Sequence, residues 1–165
     1  MFNKSSFDPE VIIKTLAKHQ VNYILIGALA ARLQGFPRMT ADTDITPAQD
    51  IGNIERLAQA LNELNTRVFT ESVPIGLPFD CSAANLKQSR LWNFITDAGR
   101  LDVAFKPIGT DGYNDLIKNA EKYKVYGETI YAASLEDIIR SKKAADRPQD
   151  RQDVIILREI LKRKK

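Results

Sequence analysis

The sequence predicts a mixed α/β (α+β) domain, a small mixed sheet flanked by helices and closed by a C-terminal helical segment over about residues 134–163. Three observations predict it. Short apolar runs ending in glycine or proline alternate with stretches whose apolar residues recur every three or four positions. The chain ends on two consecutive helical patterns, one opening at Ser134 and one at Pro148. No internal repeat, low-complexity tract or long linker interrupts the 165 residues, so 1–165 reads as one domain.

The elements follow in order. Asp8 and Pro9 open a helix carrying Val11, Ile12 and Leu16 at helical spacing. "VNYILIG" is a buried strand, because its apolar run is short and a glycine closes it. Ala28 to Leu33 is a short helix ended by Gly35, and "FPR" turns the chain into the strand "TADTDIT". Asp50 caps a helix with Ile54, Leu57, Leu61 and Leu64 on one face. "RVFTE" is a third strand, followed by a loop holding Pro74, Gly76 and Pro78. "LWNFITDAGRLDVAFK" is a hairpin turning at Ala98 and Gly99, so residues whose numbers sum to 197 face each other. A helix near Tyr113 to Tyr123 precedes a short strand pair around Gly127 in "KVYGETIYAA". Helices from Ser134 to Ala145 and from Pro148 to about Arg163 finish the chain.

The bulk numbers narrow the function classes. A composition 44% hydrophobic and 27% charged is that of an ordinary globular protein. The start, "MFNKSSFDPE", lacks the apolar centre of a signal peptide, and no apolar run approaches the ~20 residues of a membrane span, so a cytoplasmic protein with no membrane partner is expected. Cys81 stands alone and reads as a small packed residue. His19, also alone, reads as a helix-end residue, which argues against a histidine-dependent hydrolase. From Ile138 to Lys165, ten basic side chains face four acidic ones, a balance of +6 that leaves −3 on the residues before it. Such a tail is either a solvated helix end suited to the helix dipole or a surface for phosphate or nucleic acid.

The chemistry centres on Asp42 and Asp44. On a strand, residues i and i+2 share a face about 6.8 Å apart, whereas on a helix that spacing sends them to nearly opposite sides. Two carboxylates in contact repel by roughly 4 kcal/mol at an effective dielectric near 20. They sit either on a solvated strand edge, or around a cation that relieves the repulsion. Asp102 is the third candidate: Trp92, Phe94, Leu101, Val103 and Phe105 form the core face of the hairpin, and Asp102 lies on the other face. Asp97, at the tip, is a turn residue. Three carboxylates with no imidazole or thiolate favour Mg²⁺ or Mn²⁺ over zinc, and such clusters serve phosphoryl and nucleotidyl transfer with two ions about 3.5–4 Å apart. Gly27 suits a tight strand-to-helix turn, where free N–H groups receive an anion such as a triphosphate.

These residues carry a resemblance. Strand, Gly27-Ala28, short helix, Gly35, Arg38, Thr40, Asp42-x-Asp44 and a later strand aspartate, Asp102, resemble the nucleotidyltransferase superfold of DNA polymerase β in its minimal bacterial form. "SLEDIIRSKKAADRPQDRQDVIIL" further resembles the abortive-infection type nucleotidyltransferase-like proteins, many of them toxin-system components, whose C-terminal elements fall here on Lys142, Ala145, Arg147, Asp150 and Asp153. The resemblance spans about Val11 to Leu161. It implies an NTP substrate and a Mg²⁺ or Mn²⁺ cofactor held by Asp42, Asp44 and Asp102, with Asp102 helping to deprotonate the acceptor hydroxyl. Gly27, Ala28, Arg38 and Lys142 are implied to hold the nucleotide phosphates. The acceptor would be an RNA end such as that of a tRNA, a protein or a small molecule, and a partner protein of a toxin-antitoxin pair is a further expectation. One departure stands out: Ala28 occupies a position usually held by serine or glycine, so a hydroxyl contact to phosphate is missing. A catalytically silent module that binds nucleotide, RNA or a partner protein, for example as an antitoxin, is therefore the alternative.

Periodicity adds detail at the C-terminus. Lys142 falls inside the apolar stripe Leu135, Ile138, Ile139, Ala145, where a lysine must snorkel or find an anion, while Lys143 faces solvent. Asp153 lies near the buried side of the last helix and is expected to anchor Arg147 or Lys142. Asp150 suits the helix dipole. Arg38 either reaches the phosphates or caps its own turn.

Overall fold

A computed structural model of the chain describes residues 7–165; the first part of the N-terminal stretch read above for a targeting signal lies outside them. Asp8 caps α1 (Pro9–Lys18), which carries Ile12, Ile13 and Leu16 into the core. β1 (Tyr23–Ile26) runs directly into α2 (Gly27–Leu33). After the loop through Arg38 come β2 (Asp42–Pro47) and α3 (Ile51–Glu63), capped by Asp50 as expected. β3 (Arg67–Val68), α4 (Ala83–Leu86), β4 (Leu91–Thr96) and β5 (Gly99–Ala104) follow. α5 (Tyr113–Leu116), β6 (Glu121–Val125) and β7 (Glu128–Ala132) lead to α6 (Leu135–Ala145), capped by Ser134, and α7 (Pro148–Lys164).

The strands form one seven-stranded mixed sheet ordered β3-β4-β5-β2-β1-β7-β6, the mixed sheet flanked by helices that the sequence predicts. β2 is parallel to β5 and antiparallel to β1, and β1 is parallel to β7. Strand alternation then sorts the side chains. Leu25, Ile45, Leu101, Val103 and Phe94 share one face and are fully buried, whereas Asp42, Asp44 and Asp102 share the other. No described helix is long and apolar enough to cross a membrane.

Three local expectations are corrected. The hairpin turns at Asp97 and Ala98 instead of Ala98 and Gly99: Thr96 faces Gly99 and Asn93 faces Asp102, so facing numbers sum to 195 and not 197. Gly99 takes the positive-φ position (+102°) after the turn, the usual place for glycine in such a hairpin. A slip of two preserves side-chain parity, so the core face and the side on which Asp102 lies are as expected. The helix near Tyr113 to Tyr123 ends at Leu116, and Glu121–Val125 is a strand paired with β7. Tyr126 (φ 54°) and Gly127 (φ 79°) make the two-residue turn between them, and the ladder across that turn overrides a local apolar spacing too short to settle the period. "RVFTE" keeps only Arg67 and Val68 as strand. His19 ends α1 and Cys81 is buried, both as expected; burial pushes the thiol up to about 11.

Leu57 on α3 is fully buried, on a helix that supplies none of the clustered carboxylates. Leu57→Ala is expected to cost about 3 kcal/mol in urea unfolding with an unchanged slope, and to leave Mn²⁺ affinity at its wild-type value.

Candidate active site

The sheet register builds the acidic cluster. Asp44 lies beside Asp102 across the parallel β2–β5 pair, and Asp42 shares the Asp44 face two residues earlier. Oxygens of the three carboxylates lie within 4.8 Å of one another, and all three side chains are half-buried. Among the described residues, this is the set of three or more acidic, histidine or cysteine side chains close enough to share an ion. Thr40 donates to Asp42 Oδ1 at 3.1 Å and to its carbonyl at 2.9 Å, fixing the entry to the strand.

Gly27 borders the cluster. Ile26 pairs with Asp44 across β1–β2, and Gly27 has φ +68°. A Cβ built there would stand 2.2 Å from Asp44 Oδ2, so the missing side chain is what admits the carboxylate. No side chain caps the start of α2, at Gly27 and Ala28.

Burial, then the charges of Asp42 and Asp102, hold the Asp44 carboxyl well above its ordinary value of 3.8. Burial raises Asp102 as well, although Arg100 opposes it. Arg100 was not anticipated: its guanidinium donates to Asp102 Oδ1 at 2.8 Å and lies 3.8 Å above the Phe69 ring. Its position two residues before Asp102 on one strand was the available signal. The donor set suits a hard divalent ion, with three oxygens, no nitrogen or sulfur, and a crowded negative charge that a cation would relieve.

A cleft of about 200 Å³ opens from Gly27 and Asp44 toward α6 and α7, with Asp137, Ser141, Lys142 and Arg147 in its wall. An ion network around two buried carboxylates ties this wall together. Asp153, 2% exposed, takes both guanidinium nitrogens of Arg38, one at 3.2 Å, together with Lys142 Nζ at 3.0 Å and Gln149 Nε2 at 3.1 Å. Asp150, 1% exposed, pairs with Arg147 at 2.7 Å and stands 3.7 Å from Lys142 Nζ. Burial opposes its ionisation, but the Arg147 hydrogen bonds outweigh that and hold its carboxyl below the usual range. The expected Asp153 anchor therefore serves Lys142, with Arg38 as its second cation, and Arg147 belongs to Asp150. Lys142 lines the cleft; Arg38 is joined to the cleft wall through Asp153. Lys143 is exposed, as its edge position suggests.

Comparison with known proteins identifies the fold. No protein-family model matches the sequence, and no curated protein matches it. Among solved structures, the lincosamide antibiotic adenylyltransferase LnuA in its lincomycin-bound form is similar at TM-score 0.61 and 15% identity, over 94% of this chain and 98% of that one. A Thermotoga maritima protein described as a nucleotidyltransferase is similar at TM-score 0.53 and 18% identity, over 99% of both chains. The antibiotic-resistance factor ANT(2″)-Ia is similar at TM-score 0.54 and 16% identity, over 94% of this chain and 90% of that one. The chain has the nucleotidyltransferase fold.

The cluster makes stability pH-dependent in the ion-free protein. Because the folded Asp44 carboxyl binds its proton more tightly than the unfolded one, its contribution is full in acid below about 3.8 and is lost as pH rises through the raised folded value. Urea titrations from pH 4 to 7 are expected to show wild type losing ground steadily to Asp44→Asn. Asp153→Ala, which leaves Arg38 without its buried partner and Lys142 with Asp150 alone, is expected to lower stability by about 3 kcal/mol in the same assay.

Proposed function

We propose that this protein is a nucleotidyltransferase that transfers an NMP from an NTP to a hydroxyl acceptor. The observation that carries this reading is the convergence of Asp42, Asp44 and Asp102 beside Gly27, at the mouth of a cleft walled by Lys142 and Arg147. The fold supports it, since the similar structures include an adenylyltransferase. Asp42 and Asp44 would hold two Mg²⁺ or Mn²⁺ ions, with Asp102 sharing one; bound there, the ions would offset charge on the entering and leaving oxygens.

The remaining work falls to the chain itself. The amides of Gly27 and Ala28 and the charges of Lys142 and Arg38 hold the phosphates in line with the acceptor. Asp102 receives the acceptor's hydroxyl proton, while Arg100 keeps its other oxygen fixed. The acceptor oxygen bonds to the α-phosphorus, the α–β bridging bond breaks, and pyrophosphate leaves. Ala28 removes a hydroxyl from the phosphate cradle but not the backbone donors. The acceptor class spans RNA ends such as those of tRNA, proteins and small molecules; the lincomycin bound to LnuA is a small-molecule precedent in the same fold. A cytoplasmic location, a single domain over 1–165, kinship with the abortive-infection type and a toxin-antitoxin partner belong to this same reading.

A silent binding module remains the second reading, favoured by Ala28 alone. Two measurements separate them. At a hundred times its Kd, Mn²⁺ is expected to stabilise wild type by about 2.7 kcal/mol and to leave Asp44→Asn unchanged. Labelled NTPs should give pyrophosphate and an NMP-modified acceptor with wild type, and Asp102→Asn should be slower by roughly 10²–10⁴-fold. NTP binding without Mn²⁺ and with no transfer would establish the silent module instead.

A further inference from the structure

One buried carboxylate in the cleft wall has no part in holding ions or phosphates. Asp137 is 6% exposed and lines the same cleft as Asp44 and Lys142. Its Oδ1 accepts from Arg140 at 3.0 Å. Its Oδ2 is buried without any hydrogen-bond donor among the described residues. Ser134 already caps the Asp137 amide, so the start of α6 is satisfied by another side chain. A desolvated carboxylate oxygen with no donor is costly unless a donor reaches it.

Its surroundings define what could supply that donor. Pro107, Leu116, Ile138 and Ala133 line the cleft around it, an apolar setting suited to a flat ring. Asp137 and Lys142 lie five residues apart on α6 and both line the cleft, so Asp137 stands about one and a half helical turns from the lysine expected to meet phosphate. A carboxylate only accepts hydrogen bonds, so it selects for a donor on the ring.

We propose that the cleft beyond Lys142 is the nucleobase pocket and that Asp137 Oδ2 accepts from an exocyclic amine, so adenine and cytosine are chosen over uracil. The proposal rests on the nucleotidyltransferase reading and adds its base specificity. Adenine and cytosine present such an amine at the edge where guanine and uracil carry a carbonyl oxygen, and that oxygen would face the carboxylate lone pair to lone pair. Arg140 makes the site asymmetric: with Oδ1 held by the guanidinium, Oδ2 is the oxygen left for the ligand. In Asp137→Asn the guanidinium would retain the amide carbonyl, turning the NH₂ group toward the cleft and exchanging an acceptor for a donor.

Calorimetric titration of the full-length protein with Mg²⁺ and ATP, UTP or purine riboside triphosphate, which lacks the amine, tests this. Wild type is expected to bind ATP on the order of tenfold more tightly than either of the others. Asp137→Asn is expected to erase the ATP preference over purine riboside triphosphate and to move UTP ahead of ATP, with a thermal melt establishing that the variant folds. Equal wild-type affinity for ATP and purine riboside triphosphate overturns the proposal whether or not the variant folds, as does an unchanged ATP:UTP ratio in a folded variant. In either case the transferase reading stands. If wild type binds none of the three nucleotides, that reading fails and this inference falls with it.

Discussion

The crowding of three carboxylates on one sheet face is the constraint on which this structure depends. Each pair would repel by roughly 4 kcal/mol at contact distance and intermediate dielectric, and burial adds to the cost of charging Asp44. Nothing local to β2 or β5 requires this arrangement; it follows from the parallel register that sets Asp44 beside Asp102. Gly27 then lets the backbone close over the Asp44 carboxylate, where any Cβ would strike it. A bound cation would relieve this repulsion, and a donor set made of carboxylate oxygens alone would suit a hard one.

The second organising feature is the ion network between α6, α7 and the loop before β2. Asp153 joins Arg38 to Lys142, and Arg38 lies only two residues before Thr40, which in turn hydrogen-bonds Asp42. The C-terminal helices are thus tied to the acidic cluster through ion pairs to Arg38 and the short backbone stretch from Arg38 to Thr40. Buried ion pairs of this kind contribute little net stability compared with well-packed apolar residues. Their value here is geometric, because two cations are held at fixed positions beside the cleft that an anionic substrate would enter.

Legibility differed along the chain for identifiable reasons. Helix starts at Asp8, Asp50 and Ser134 were readable because capping is a local interaction between a side chain and an amide three residues on. The face on which Asp102 lies was readable although the hairpin register was not, since a slip of two leaves parity unchanged. The segment Glu121–Val125 misled because its pairing with β7 is made across a turn, and short apolar spacings do not distinguish a helix from a strand. Arg100 escaped notice, although Asp102 is only two residues on, because the Phe69 ring that it covers comes from a distant segment.

By itself, then, the sequence determined the helix starts at Asp8, Asp50 and Ser134, the core face of the β4–β5 hairpin and the side on which Asp102 lies, since each depends on periodicity, capping or residue chemistry within a few positions. Tertiary structure alone decided that β2 lies parallel to β5, that Asp153 takes Arg38 as well as Lys142, and that Asp137 is left with an oxygen lacking a donor. Those outcomes depend on which distant segments meet. Meeting is settled by burying the apolar faces of the whole sheet together, and no local pattern encodes it.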